Sequence, residues 1–131
     1  MKTLNKVILQ GVVGSEPVTR VTIQSEELVI FTLGTEENIL GKTQFIWHNI
    51  VVVKPNLGLF VKKHINKGRQ VLVEGMLYSR KEMTKLGARY TQEVLLCSDE
   101  HTIDFLRSAH RLTETWSRRG AILPPVSILT G

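Results

Sequence analysis

Lys67-Gly68-Arg69-Gln70-Val71-Leu72-Val73-Glu74-Gly75-Met76-Leu77-Tyr78-Ser79-Arg80-Lys81 is the stretch that decides the fold. After the break at Gly68 the side chains alternate. Val71, Val73, Gly75, Leu77 and Ser79 point one way, and Leu72, Glu74, Met76, Tyr78 and Arg80 the other, as a strand of period two requires. Gly75 removes a side chain in mid-strand, where a closing barrel has to bend sharply. The second face ends in an aromatic ring and two cations, Tyr78, Arg80 and Lys81. A flat ring beside positive charge suits a stacked base and its phosphate. An ordinary sheet with a solvated face fits the stretch equally well.

Working outward, Asn5 to Val13 reads as a first strand, with Val7, Leu9, Gly11 and Val13 on one face. Gly14-Ser15-Glu16-Pro17 is turn chemistry. Val18 to Ile23 and Leu28 to Thr35 form two halves of a second extended region, and Glu36 to Lys42 reads as a loop. Gln44 to Val53 is a third strand. Leu57, Phe60, Val61, His64 and Ile65 then recur at helical spacing, with Asn56 as the expected N-cap and Gly68 past the C-terminus. The opening stretch is strand four, Lys81 to Arg89 a polar hairpin loop, and Tyr90 to Cys97 strand five. Three strands, a short helix and two more strands predict an all-β fold, a five-stranded Greek-key barrel of the OB type with the helix plugging one end. From Ser98 the pattern changes. Phe105, Ala109, Leu112 and Trp116 follow helical spacing, with acidic residues at the start and Arg118, Arg119 and Gly120 at the end. Residues 1–97 are therefore expected to form the barrel domain, and 98–131 a C-terminal helix with an extended tail.

The 131 residues suit one domain with a single core. No apolar run approaches the length that crosses a bilayer, so no membrane partner is expected. Met1 to Lys6 does not resemble a signal peptide, and any import signal is expected to have been removed. Cys97 is the lone cysteine, which excludes an intrachain disulfide and favours a reducing compartment. The net charge of +5 is unevenly spread. Between Lys54 and Arg89 stand nine Lys or Arg against Glu74 and Glu82, whereas each flank carries a slight acidic excess. A polyanion partner follows naturally from that concentration, with a solvated face as the alternative.

Catalysis finds little support. His48, His64, His101 and His110 do not pair at metal-ligand spacing with carboxylates or with Cys97, and no phosphate loop or nucleophile elbow is present. No metal, cofactor or enzymatic activity is expected. Binding has better material. Phe45, Trp47 and Asn49 share one face of strand three, the two rings roughly 7 Å apart along the chain and suited to successive unstacked bases. The opposite face, Ile46, His48, Ile50 and Val52, is almost wholly aliphatic and is assigned to the interior. A buried His48 then needs a hydrogen-bonding partner.

The segments Leu4 to Pro17, Phe31 to Thr35, Trp47 to Val52, Lys67 to Gly75 and Arg89 to Val94 together resemble bacterial and mitochondrial single-stranded DNA-binding proteins, in that family's order and spacing. Val52-Val53-Lys54-Pro55-Asn56-Leu57 looks more like the mitochondrial branch. The resemblance implies an OB-fold homotetramer that coats single-stranded DNA in replication, recombination and repair. It implies a mitochondrial matrix (nucleoid) location, with the bacterial cytoplasm as the alternative, and replication proteins as partners. Trp47 matches a stacking tryptophan, and His48 a histidine at the subunit interface, where Val7 and Leu9 are also expected. Lys6, Arg20, Lys54, Lys67, Arg80 and Lys81 match phosphate-contacting cations, to which the basic segment adds Lys85 and Arg89.

Some positions depart from the family. Val53 and Glu82 stand where bacterial members commonly carry stacking aromatics, and the chain ends Val126-Ser127-Ile128-Leu129-Thr130-Gly131 rather than in an acidic peptide. Phe45 and Tyr78 are the candidates to make up the stacking. The rival reading is an OB-fold adaptor in a replication or RNA-processing complex, with weak nucleic-acid binding.

Overall fold

In the computed structural model, which describes residues 1–106, the elements follow as β1 (Val7–Val13), β2 (Val18–Val21), β3 (Glu27–Ile39), β4 (Lys42–Val52), α1 (Pro55–His64), β5 (Gln70–Thr84), β6 (Gly87–Leu96) and β7 (Thr102–Phe105). The long alternating stretch of the sequence is β5, and the architecture turns on it. Val71 and Val73 are fully buried, whereas Leu72 and Glu74 on the other face are half-buried. The strand changes partner at Gly75. As far as Gly75, which pairs with Val7, β5 lies antiparallel to β1; from Met76, which pairs with Leu95, it lies antiparallel to β6. A Cβ at Gly75 would stand 2.7 Å from the Leu95 carbonyl oxygen, so the bend tolerates no side chain.

Closure follows from three further pairings. β1 reaches β3 through Val12 and Val13, β3 and β4 form a long hairpin, and β4 meets β6 in parallel from Asn49 beside Glu93 to Val52 beside Leu96. β2 extends the sheet beyond β3, and β7 lies along β5. The result is the expected OB-type barrel of five strands with a helix between β4 and β5. Phe31, Leu33, Ile50, Val71, Val73 and Leu96 fill its interior, and Val61 of α1 with Ile65, the residue just past the helix, closes one end. The aliphatic face of β4 does point inward, and His48 Nε2 lies 2.9 Å from Thr35 Oγ1, so its half-buried ring has the partner it requires.

Several boundaries differ from the sequence reading. Glu36 to Lys42 is not a loop. β3 continues to Ile39, pairing Glu36 with Phe45 and Asn38 with Thr43, and the chain turns within Leu40-Gly41, both at positive φ (51° and 82°). That is the backbone of a tight hairpin turn, and Asn38 Oδ1 accepts the Gly41 N–H at 3.1 Å. Lys81 to Arg89 is likewise mostly ladder, with Glu82 opposite Arg89 and only Lys85-Leu86 between the strands. Polar side chains hid both ribbons, because neither face of a projecting hairpin is buried. The helix starts at Pro55 with Lys54 at the N-cap, not Asn56; the fixed φ of proline suits the first helical position.

The helix expected from Ser98 does not begin there. Thr102–Phe105 is a strand, Ile103 opposite Val73 and buried, so the sheet runs past the boundary placed at Cys97. The acidic residues Asp99, Glu100 and Asp104 imitate a helix start, but a free edge of β5 was available and Ile103 had an apolar site to fill. Phe105 then packs 5.4 Å from Phe60, with the Arg69 guanidinium 3.9 Å above its ring. The rest of the expected helix and the tail lie outside the described residues.

Candidate nucleic-acid interface

The outward residues of β3, β4, β6 and β5 make one continuous face. Register places Thr32 opposite Asn49, Asn49 beside Glu93, and Glu93 opposite Tyr78, a row crossing four strands. Trp47 and Arg80 stand next to it along their strands, on the same side by alternation. Strand spacing puts the β4 and β5 backbones about 10 Å apart, so Trp47 and Tyr78 offer rings on two sides of a shallow track.

Trp47 is 55% exposed and Phe45 50%. Their centroids are 5.5 Å apart with 17° between planes, a stacked pair. What holds the indole is a floor without side chains. A Cβ on Gly34 would stand 2.5 Å from Trp47 Cζ3, and one on Gly14 2.3 Å from it. Gly14 is itself fixed to β3, its N–H donating to the Thr32 carbonyl at 2.8 Å, while Ser15 Oγ accepts the Thr32 N–H at 3.0 Å. Tyr78 remains partly exposed beside Arg80, whose Cζ is 5.5 Å from the phenol centroid.

The cations separate into two groups. Arg80 Nε donates to both Glu93 carboxylate oxygens at 3.0 Å, Lys54 Nζ lies 3.1 Å from Asp99, and Lys6 Nζ 3.9 Å from Glu74. The hydrogen bond to Glu93 raises the Arg80 pKa above its ordinary value; partial desolvation opposes this and the carboxylate charge adds to it. Arg20, Lys67, Lys81, Lys85 and Arg89 have no carboxylate within ion-pair distance among the described residues.

Pairing registers bring Arg20 and Arg89 to the Trp47 side, since Arg20 pairs with outward Leu28 and Arg89 with Glu82. Lys81 falls on the other side of the β5–β6 ribbon, Lys85 at its tip, Lys67 in the turn after α1 and Lys54 at the helix start. Lys6 lies around the barrel, just before β1. Phe45, Trp47, Asn49, Tyr78 and Arg80 are thus together, whereas Lys6, Lys54, Lys67, Lys81 and Lys85 are distributed around them.

Val7 and Leu9 pack partly buried against the core, and Ile8 between them is 54% exposed. Alternation decides this: Val7 opposes Gly75 and Leu9 opposes buried Val73, on the inward face of β5. Sequence reasoning also missed Glu93, Gly34 and Gly14. Counting outward from a tight turn at Lys85-Leu86 places Glu93 opposite Tyr78, a signal hidden by the nine-residue loop assumed there.

The "Single-strand binding protein family" sequence profile matches residues 4–105. The chain belongs to this family. A "Single-stranded DNA-binding protein" of Rickettsia felis is 31% identical over 132 residues, covering 86% of this chain and 87% of that one. In Chlorobaculum tepidum, "Single-stranded DNA-binding protein 1" is 35% identical over 104 residues, 73% of this chain but 62% of that protein, under two thirds of its length. Among solved structures, "Plasmodium falciparum SSB complex with ssDNA" superposes with a TM-score of 0.73 at 32% identity, covering 82% of this chain and 98% of that chain. These family relatives from sequence are bacterial, and they lend no support to the mitochondrial affinity read from Val52 to Leu57.

Proposed function

We propose that the chain binds and coats single-stranded DNA with little regard to sequence, in replication, recombination and repair. The observation that carries this is the stacked Phe45–Trp47 pair, half exposed on a glycine floor beside Asn49 and Tyr78. Every base has a face to lay on such rings, and stacking is worth about 1–3 kcal/mol per base. Arg20, Lys67, Lys81, Lys85 and Arg89 would take up phosphates and release counterions, making affinity fall with salt. The chain acts by binding, without catalysis.

The test is titration with oligo(dT), following tryptophan fluorescence in a Trp116→Phe background so that Trp47 reports alone. Strong quenching that weakens with salt is the expected result. No quenching at low salt would defeat the proposal and favour an adaptor with weak nucleic-acid binding.

The assembly we propose is a homotetramer. Only Val12 and Val13 of β1 pair with β3, which leaves that edge of Val7 to Gly11 unpaired, and such an edge invites another strand. Val7, Leu9 and His48, each half-buried on the single chain, are the subunit contacts proposed, together with the exposed Ile8. A solution mass equal to one chain would refute it. The bacterial relatives are compatible with a bacterial cytoplasm as the place of action.

A further inference from the structure

Glu93 is a carboxylate at the centre of the proposed DNA track. It is 9% exposed, between Asn49 on β4 and Tyr78 on β5. A bare negative charge there would repel a phosphate backbone. The Arg80 guanidinium answers it with Nε 3.0 Å from each oxygen, and the same guanidinium is within cation–π range of the Tyr78 ring. Family resemblance alone gives Arg80 to a phosphate. The geometry gives it to Glu93.

The two assignments compete for one cation. Moving Arg80 to a phosphate would leave the Glu93 carboxylate unpaired in a largely buried site, and breaking such a pair from one side is strongly unfavourable. A phosphate at the groove surface offers a partner in a wetter setting, where a charge pair is worth less. The cation therefore stays where it is when a strand arrives. The other two candidate phosphate cations that are paired differ. Asp99, the partner of Lys54, is fully exposed, and half-buried Glu74, the partner of Lys6, also accepts from Thr102 Oγ1 at 3.3 Å, so neither carboxylate is stranded when its lysine leaves.

We infer that Glu93 is a positioning residue that withholds Arg80 from the DNA phosphates and holds its guanidinium beside Tyr78, so that the pair supports a stacking platform of no net charge. The inference rests on the proposed binding of single-stranded DNA and assigns the roles of two residues within it. Its consequence is specific. Arg80 releases no counterion, although its guanidinium lies 5.5 Å from the Tyr78 ring.

The test compares oligo(dT) affinity against salt for the parent chain and for the double variant Arg80→Gln with Glu93→Gln, which keeps polar side chains of similar size. Each phosphate neutralised on a single strand contributes a slope of about 0.7 in log affinity against log salt. The double variant is expected to keep the slope of the parent, even if its absolute affinity falls through a less well held Tyr78. A slope shallower by about 0.7, which is about a 2.6-fold smaller loss of affinity over a fourfold rise in salt, would place Arg80 on a phosphate and overturn the inference.

A second measurement needs no variant. In the complex of the unaltered protein with oligo(dT), the Arg80 Nε–H resonance is expected to keep its position and its slow exchange with water. Its displacement, with coupling to a phosphorus nucleus, would overturn the inference as well. A parent chain that binds no oligo(dT) defeats the functional proposal and this inference together; a salt-sensitive parent with a shallower double variant defeats the inference alone.

Discussion

Replacing Gly34 with alanine tests how the tryptophan platform is held. The added Cβ would lie 2.5 Å from Trp47 Cζ3 and 2.9 Å from Cε3 and Cη2, where carbon atoms ordinarily sit about 3.5–4.0 Å apart. The ring must lift by about 1 Å or swing away to restore that contact distance. It can do so without breaking the core, because half of the indole already faces solvent and Gly34 sits at an ordinary strand φ. Stability is therefore expected to change by about 1 kcal/mol or less, the usual range for a substitution that leaves the core packed. Binding should change more. If the lifted ring loses half of a stacking energy of about 1–3 kcal/mol, oligo(dT) affinity falls about 2- to 13-fold. Trp47→Ala sets the limit, and Gly34→Ala added to Trp47→Ala should cost nothing further, since the two act through one ring. Fluorescence titration with thermal unfolding as the control decides it. Parent-like affinity in Gly34→Ala, or losses that add in the double variant, would refute the idea that the glycine floor sets the indole.

Phe45→Ala removes the second ring of the stacked pair and should weaken oligo(dT) binding by about 1–3 kcal/mol; binding like that of the parent would show that Phe45 does not replace the aromatics missing at Val53 and Glu82. Gly75→Ala puts a methyl group 2.7 Å from the Leu95 carbonyl oxygen and 3.0 Å from Leu96 and Val94 side-chain carbons, so denaturant titration should find a loss of about 1–3 kcal/mol, as for other overpacked sites. His101 Nδ1 accepts the Cys97 N–H at 2.9 Å and the Ser98 N–H at 3.2 Å in the turn that carries the chain to β7. His101→Ala should therefore cost about 1–2 kcal/mol of stability and raise amide exchange at Ile103 and Phe105; unchanged exchange there would separate β7 from that turn.

Much of this fold was legible because its core strands are regular. Val71 and Val73 inside with Glu74 outside, the aliphatic face of β4, and Gly75 at the bend all follow from period two and from one missing side chain. What was not legible lay where both faces are wet. Glu36 to Ile39 and Lys81 to Thr84 extend their hairpins into solvent, and no apolar alternation marks such ribbons. The backbone turn at Leu40-Gly41 and the cross-strand pair of Glu82 with Arg89 mark them instead. β7 failed for another reason. Four residues are too few for periodicity to separate strand from helix, so the available edge of β5 decided its state.

The same limit governs reading function from charge. A sequence census treats every lysine and arginine as available, and on that count the middle of the chain is the phosphate site. The structure shows that availability depends on partners brought from elsewhere: Glu93 from β6 holds Arg80, Asp99 from the turn before β7 meets Lys54, and Glu74 meets Lys6. Burial then sorts these pairs. Asp99 is open to water and half-buried Glu74 keeps the Thr102 hydroxyl, so Lys54 and Lys6 would remain usable by a phosphate. The sunken Glu93 cannot let go of Arg80 without being stranded. The aromatic platform and the cations are thus joined at a single residue, and an acid in the middle of the proposed DNA track would strengthen it by fixing one arginine beside the ring that a base would meet.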